Sequence, residues 1–177
     1  RNTMQRVGDP GRCLEEVNRQ LCGQLFNGQF VTILIMVLDV DHGHMDLASA
    51  GHPSPLMSDG GSYEPVPIDS QLALGILEDV AFTTDRLPLP QHASFFLYTD
   101  GAEEVMGSHG QQLGVEGLQR SLRPHSSSHD LLQAILHAVD RHRAGEALAD
   151  DLTLVAVRIQ RDAHVDAQAT VALATAH

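Results

Sequence analysis

The sequence contains no lysine and no tryptophan, and only two of its 177 residues are cysteines. All 11 basic side chains are therefore arginines, set against 23 aspartates and glutamates, and the formal net charge is -12. An acidic chain repels phosphate backbones, so this composition argues against a nucleic-acid partner. The same excess of carboxylates suits a protein that collects divalent cations.

Long apolar runs are also missing. The longest, Val31 to Leu38, falls well short of the roughly 20 residues that a membrane span needs, and no basic segment followed by an apolar one marks a signal peptide. Cys13 and Cys22 would lie on different faces of a predicted helix, so neither a disulfide nor a thiolate metal site is expected. Two such thiols fit a reducing cytoplasm, which is the predicted location.

Hydrophobic periodicity in the first half predicts a helix followed by a hairpin. A helix opens at Asp9-Pro10 and continues through Leu25, because its apolar residues recur at spacings of three and four. Phe30 to Val40 and His44 to Ala50 are predicted strands, and the Asp-His-Gly turn between them favours antiparallel pairing. Leu56 to Ser58 is predicted as a short edge strand, and 62–80 as mostly loop with short strands.

The second half is predicted to contain three further strands and two helices. The strands are Ala81 to Leu87, Ala93 to Thr99 and Asp151 to Ile159; the helices are Leu113 to Leu122 and His129 to Arg143, the latter capped by Ser126 to Ser128. Strands and helices thus occur in blocks, which favours a layered α+β fold over a doubly wound one. The tail, 160–177, is predicted to be disordered or a helix that packs on a neighbouring domain.

Two acidic segments lie at the ends of predicted strands. Asp100-Gly101 follows an apolar strand, and Asp150-Asp151 precedes the last one. A carboxylate on such a rigid support can serve as a hard oxygen ligand for Mg²⁺ or Mn²⁺, and the glycine lets backbone or water approach closely. The alternative is that each aspartate only caps a turn, and a lone Thr-Asp-Gly segment would favour that interpretation.

The order of several short segments favours the metal-ligand interpretation over the turn-cap interpretation. They are Phe30-Val31-Thr32, Ala50-Gly51-His52-Pro53, Leu74-Gly75-Ile76, Tyr98-Thr99-Asp100-Gly101, Leu113-Gly114 and Asp150-Asp151-Leu152. In this order and spacing the chain resembles the sporulation-stage-II-E-like branch of the type 2C, metal-dependent protein serine/threonine phosphatases. The resemblance covers about residues 5 to 159, and residues 1–159 would form the C-terminal two-thirds of a phosphatase domain.

The resemblance implies a fold and a chemistry. The fold is a layered β-sandwich of two antiparallel sheets flanked by helices, with a centre of two Mn²⁺ or Mg²⁺ ions. The chemistry is hydrolysis of phosphoserine or phosphothreonine by a metal-activated water. By position, Asp100 and Asp150 match metal ligands of the family, Gly101 belongs to the same metal-binding turn, and Asp151 matches the neighbour that supports Asp150 by hydrogen bonding.

His52 has two interpretations. In the family the Ala-Gly-His-Pro loop lies towards the catalytic end, so His52 either contacts phosphate or donates a proton, or else it stabilises its loop by hydrogen bonds. Glu103 and Glu104 follow the Asp-Gly turn and are predicted to favour a helix N-terminus rather than to bind metal.

The chain departs from the family pattern at its start. Members carry an early Gly-Asp-x-x-Asp segment and a later Gly-Asp-x-x-Gly-His-Gly segment, which supply further metal ligands, and neither occurs here. Two aspartates cannot hold two hard cations that each need about six oxygens. Either the sequence is a fragment, which we favour, or the protein is a degenerate relative. The fragment is expected to have an incomplete sheet and little or no activity.

Two functions follow from these alternatives. The first is a phosphatase domain of a bacterial regulatory protein that acts on a phosphorylated partner of the anti-anti-sigma type. The second is a non-catalytic module that binds such a partner through the phosphatase scaffold. Homodimerisation through helices is possible by analogy with the family alone.

Overall fold

The structure is a computed structural model that describes residues 2–24, 28–123, 127–160 and 168–176. The helices are α1 (Asn2–Val7), α2 (Pro10–Cys22), α3 (Gly114–Ser121) and α4 (Ser128–Arg143). The strands are β1 (Ile33–Asp39), β2 (His44–Ala50), β3 (Leu56–Ser58), β4 (Glu64–Pro65), β5 (Ser70–Gln71), β6 (Asp85–Pro88), β7 (Ser94–Tyr98), β8 (Leu152–Gln160) and β9 (Gln168–Ala176). The chain divides into two compact units, the first comprising Arg1–Ser54 and Pro67–Leu89, the second Pro55–Val66 and Pro90–His177.

The first unit is built on the predicted hairpin. β1 and β2 pair antiparallel from Ile33↔Ala50 to Asp39↔His44, β6 pairs antiparallel with the other edge of β2, and the short β5 runs parallel to the end of β2. The buried face of α2 covers this sheet, with Leu14 packed among Ala48, Ala50, Leu74 and Phe82. The amphipathic spacing in the sequence therefore predicts the correct face of the helix.

The ends of α2 follow capping chemistry. Asp9 is the N-cap and accepts a hydrogen bond from the Arg12 N–H at 2.9 Å, and Pro10 occupies the first helical position. The helix ends at Cys22, before Gly23. Leu25, the predicted last residue of the helix, lies outside the described residues.

β1 begins three residues later than predicted. Ile33 pairs with Ala50, the last residue of β2, and the chain then turns at Gly51 with a φ of +65°. Residues before Ile33 consequently have no partner in β2, and Val31 instead forms an isolated bridge with Leu74. The Phe30 side chain is 60% exposed, so this apolar residue is not part of a buried strand.

The predicted strand from Ala81 to Leu87 is only partly correct, because β6 begins at Asp85. The amides that precede β6 are bound by side chains instead of a neighbouring strand. Phe82 N–H donates to Glu15 Oε1 at 3.2 Å, and Thr83 N–H donates to Gln71 Oε1 at 2.9 Å. Side-chain acceptors have thus replaced the sheet ladder over this segment.

An ion pair links the neighbouring strands β2 and β6. Asp46 and Arg86 are direct cross-strand partners, and two hydrogen bonds of 2.7 Å join the guanidinium to both carboxylate oxygens. The bonds from Arg86 lower the pKa of Asp46, although partial burial opposes them. This fork geometry is specific to arginine.

Replacing Arg86 by glutamine should lower the free energy of unfolding at pH 7 by a small but measurable amount, because solvent screens a cross-strand pair whose arginine is exposed. Because the folded-state pKa of Asp46 is depressed, this contribution is present above the unfolded pKa of about 3.9 and is lost as the pH falls through the folded value. Urea unfolding of both proteins across this pH range measures it. Arg86→Lys keeps the charge but loses the two-bond geometry, so its free energy of unfolding should lie between those of wild type and Arg86→Gln. A loss of stability in Arg86→Gln that persisted unchanged in acid would contradict a contribution from the ionised Asp46.

The second unit carries a five-stranded sheet in the order β4-β3-β7-β8-β9, in which the neighbouring strands are antiparallel. Phe96, Leu154 and Ala156 on its central strands are completely buried. They form one core with residues of α3 and α4, including Leu118 and Ile135. This core anchors the strand ends from which the candidate site projects.

The boundaries of α4 are close to those predicted. Ser127 is the N-cap and accepts from the Asp130 N–H at 3.1 Å, and the helix ends before Ala144 in the left-handed conformation. Leu132, Ile135 and Val139 are buried, and Leu136 packs against the same core, as the helical spacing predicts. Ser126, part of the predicted cap, lies outside the described residues.

The tail differs from its prediction. Gln168–Ala176 form β9, which pairs antiparallel with β8 from Leu152↔Ala176 to Gln160↔Gln168. The expectation of disorder or a helix is therefore wrong for these residues, because the edge of β8 offers backbone partners that sequence periodicity does not show. Residues 161–167 lie outside the described residues.

The α+β fold class is confirmed: antiparallel sheets and helices make up the described parts of the chain, and the parallel β2–β5 contact is limited to two residue pairs. No helix within these parts is long and apolar enough to cross a membrane.

Candidate metal centre

Asp100 stands directly beyond a buried strand. Phe95 and Phe96 of β7 are fully buried, and Thr99 leads into a one-turn 3-10 helix, Asp100–Ala102. The Asp100 side chain is exposed, and its Oδ1 accepts a hydrogen bond from the Gly101 N–H at 3.1 Å. The buried strand thus fixes the backbone while the carboxylate stays accessible.

Asp150 and Asp151 enter β8, the strand that pairs with β7. Both aspartates are exposed, and Asp150 Oδ1 accepts a hydrogen bond from the Asp151 N–H at 2.7 Å. The contact that orients the Asp150 carboxylate therefore comes from the backbone of Asp151.

The two acidic segments are in contact. A Cβ atom added to Gly101 would lie 2.5 Å from the carbonyl oxygen of Asp151 and 3.6 Å from that of Asp150. No side chain fits between them, so glycine is required by the close approach of the two backbones. The structure therefore brings Asp100, Gly101, Asp150 and Asp151 together at the ends of adjacent strands.

These residues supply only part of a centre for hard cations. Exposed carboxylates are suitable oxygen donors for Mn²⁺ or Mg²⁺, and backbone carbonyls lie beside them. Among the described residues, however, no group of three or more histidine, cysteine, aspartate or glutamate side chains is placed to hold a metal ion. The donors present could therefore supply only part of the oxygen ligands that a divalent cation needs.

The electrostatics of the Asp-Gly turn are acidic. Burial raises the pKa of Glu103, and the neighbouring charges of Asp100 and Glu104 raise it further. Burial, with a smaller contribution from Glu103, raises the pKa of Tyr98 to about 12. Carboxylates crowded in this way make a negative potential that favours a cation over an anion.

Glu103 and Glu104 do not open a helix, so that prediction was wrong. Their N–H groups both donate to the Asp100 carbonyl oxygen at 3.0 Å, which places them at the end of the 3-10 turn. The 3-10 helix ends at Ala102. The chain then continues to Val105, whose side chain joins the core.

His52 belongs to the first unit, in the loop after β2. Its Nδ1 lies 3.4 Å from Thr32 Oγ1, and its carbonyl oxygen accepts from Ser49 Oγ at 2.9 Å and Ser70 Oγ at 3.5 Å. These contacts are those of a residue that anchors its loop. The alternative role, contact with phosphate or proton donation, stays a prediction.

Thr99 belongs to the Tyr98-Thr99-Asp100-Gly101 segment, but the sequence pattern assigns it no role of its own. The Thr99 hydroxyl contacts backbone atoms of both Asp151 and Thr153. The position of Thr99 directly before Asp100 was a visible signal, but the identity of its partners depends on the pairing of β7 with β8, which the sequence pattern does not specify.

Several known proteins are similar to this chain. The SiaA-PP2C domain of Pseudomonas aeruginosa shares its fold with a TM-score of 0.77 and 22% identity, over 89% of this chain and 64% of that chain. Phosphoserine phosphatase RsbP of Bacillus subtilis is 23% identical over 155 residues, which cover 85% of this chain and 37% of RsbP. Protein IcfG of Synechocystis sp. is 24% identical over 129 residues, covering 72% of this chain and 20% of IcfG. The chain thus spans less than two thirds of each of these relatives.

The family model described as Stage II sporulation protein E (SpoIIE) matches residues 1–160. This range contains every segment on which the resemblance was based, and the fold of the type 2C phosphatase domains agrees with it. The chain therefore belongs to the SpoIIE family.

Proposed function

We propose that this chain is part of a metal-dependent serine/threonine phosphatase domain in a bacterial regulatory protein. The observation that carries the proposal is the contact between the Asp100-Gly101 turn and the Asp150-Asp151 segment, in a chain of the SpoIIE family. The similarity to RsbP, which is named a phosphoserine phosphatase, supports a phosphoserine or phosphothreonine substrate. The proposed substrate is a phosphorylated regulatory protein of the anti-anti-sigma type.

In this proposal Asp100 and Asp150 hold divalent cations, Mn²⁺ or Mg²⁺, through their exposed carboxylates. The N–H groups of Gly101 and Asp151 orient one oxygen of each carboxylate. Gly101 keeps the space between the two segments clear of a side chain. Cations bound there would supply a water of lowered pKa for in-line attack on phosphorus. None of these steps requires a covalent nucleophile from the chain.

The remaining cation ligands are proposed to come from residues outside this chain. The described residues offer no group of three ligands, and a two-metal centre needs more oxygens than two carboxylates provide. We therefore expect the 177-residue chain alone to have little or no activity, and the complete domain to be active.

The experiment measures phosphate release by the full-length protein from a phosphoserine peptide and from p-nitrophenyl phosphate. Activity should disappear with EDTA and return on titration with Mn²⁺, whereas the 177-residue chain should remain near background. Hydrolysis that survives complete removal of metal would contradict the metal assignment.

The same lack of a third ligand among the described residues favours a second candidate, a non-catalytic module. It predicts that the full-length protein binds its regulatory partner, yet releases no phosphate at any Mn²⁺ concentration. Phosphate release and partner binding, measured on the same preparation, separate the two functions.

A further inference from the structure

Thr99 connects the two acidic segments by three hydrogen bonds. Its Oγ1 accepts from the Thr153 N–H at 3.0 Å and donates to the Asp151 carbonyl oxygen at 3.2 Å, and its own N–H donates to the Thr153 carbonyl oxygen at 3.1 Å. All of these join the end of β7 to the beginning of β8.

The hydroxyl is needed because the strand ladder stops short of Asp100. The last register pair of β7 and β8 is Tyr98↔Leu154, so regular pairing ends two residues before the first aspartate. Beyond that pair, the Thr99 hydroxyl is a hydrogen-bond partner for both the Thr153 N–H and the Asp151 carbonyl. A serine can make the same bonds, whereas valine has the same shape and can make neither.

We infer that Thr99 is a positioning residue that sets the spacing of the Asp100 and Asp150 carboxylates. Gly101 lies close against the Asp151 carbonyl group. A shift of the Asp100-Gly101 turn should therefore also displace the Asp150-Asp151 segment. Thr99 holds the same carbonyl from the neighbouring position and fixes that contact. The importance of this spacing for cation binding rests on the proposed function, but the positioning itself can be observed without metal.

The test compares Thr99→Val and Thr99→Ser with Thr84→Val as a matched control. Thr84 lies in the first unit, and its hydroxyl also accepts from one backbone N–H, that of Gly11 at 2.8 Å, and donates once, to Asp9 at 3.0 Å. Thr84→Val therefore also removes one accepted and one donated hydrogen bond, although the donated bond goes to a carboxylate oxygen and not to a backbone carbonyl. Any effect common to both valine variants is general destabilisation and not positioning.

Two readouts are measured on the full-length protein. The first is the set of NOE contacts between the Gly101 Hα protons and protons of residues 150–152 in the metal-free state. The second is the Mn²⁺ dissociation constant, from electron paramagnetic resonance. Thr99→Val should lose the NOE contacts and weaken Mn²⁺ binding about 10- to 100-fold, the range for outer partners of metal ligands. Thr99→Ser should stay within about 3-fold of wild type, and Thr84→Val should keep both properties.

Retention of the NOE contacts in Thr99→Val would overturn the inference, as would equal losses of Mn²⁺ affinity in Thr99→Val and Thr84→Val. If wild type binds no Mn²⁺ while Thr99→Val still loses the NOE contacts, the proposed metal site fails and the positioning role stands. Should Thr99→Val not fold, Thr99→Ala provides the same comparison, because it also lacks the hydroxyl and introduces no bulk.

Discussion

Replacing either Asp100 or Asp150 by asparagine should reduce Mn²⁺-stimulated hydrolysis of p-nitrophenyl phosphate by the full-length protein at least ~100-fold. The loss of a direct ligand should exceed the 10- to 100-fold effect of losing an outer partner. Asparagine keeps the size of the side chain but removes the negative charge that a hard cation requires. Both carboxylates are exposed, so the free energy of unfolding should change little. Values of kcat/KM across a Mn²⁺ titration measure the effect.

The matched control is Glu104→Gln, which removes an exposed carboxylate from the same turn without touching a proposed ligand. If Asp100 and Asp150 act as ligands, Glu104→Gln should remain within about 3-fold of wild type, because only a screened surface charge is lost. Equal losses in all three variants would show that the general negative potential matters and not ligation. Unchanged rates in both aspartate variants would remove the metal assignment altogether.

The sequence predicts the strand end before Asp100 better than it predicts the contacts made there. Asp100-Gly101 could be placed at a strand end because the preceding residues are continuously apolar, and burial of Phe95 and Phe96 agrees with that pattern. Periodicity does not specify which strand lies beside another. The contacts of Thr99 and Gly101 with the Asp151 segment arise only from the pairing of β7 with β8, and were therefore beyond prediction.

The tail shows the opposite case, in which local pattern fails to indicate an element. Gln168–Ala176 consist mainly of small residues, which carry little amphipathic signal for either strand or helix. Backbone pairing with β8 along its whole length decides the outcome. Since that pairing uses main-chain groups, the side-chain pattern does not predict it.

The fold of the first unit depends on a polar residue that helical periodicity overlooks. Asn18 lies on α2 and is completely buried. Its Nδ2 donates to the carbonyl oxygens of Leu77 at 2.7 Å and Glu78 at 3.0 Å, and its Oδ1 accepts from the Gly75 N–H at 2.8 Å. Apolar spacing predicts the buried face of α2 correctly, but it does not indicate that an asparagine on that face is buried.

Replacing Asn18 by alanine should lower the free energy of unfolding by about 2–3 kcal/mol, because three backbone groups lose the partner that satisfies them and a cavity replaces the amide. The Gly75–Glu78 segment, which carries the exposed side chains of Ile76 and Leu77, should also exchange its amide hydrogens faster. Urea unfolding and hydrogen exchange of the 177-residue chain measure the two effects.

Gln20→Ala is the matched control, since it removes a longer amide from an exposed position of the same helix. Alanine has the higher helix propensity, so Gln20→Ala should leave the free energy of unfolding within about 0.5 kcal/mol of wild type. If Asn18→Ala behaved like Gln20→Ala, water would be replacing the amide at the Gly75–Glu78 backbone, and the buried asparagine would not be holding that segment to α2. A loss confined to Asn18→Ala, together with faster exchange at Gly75, would establish the hydrogen bonds as the cause, because helix propensity alone predicts a gain for both variants.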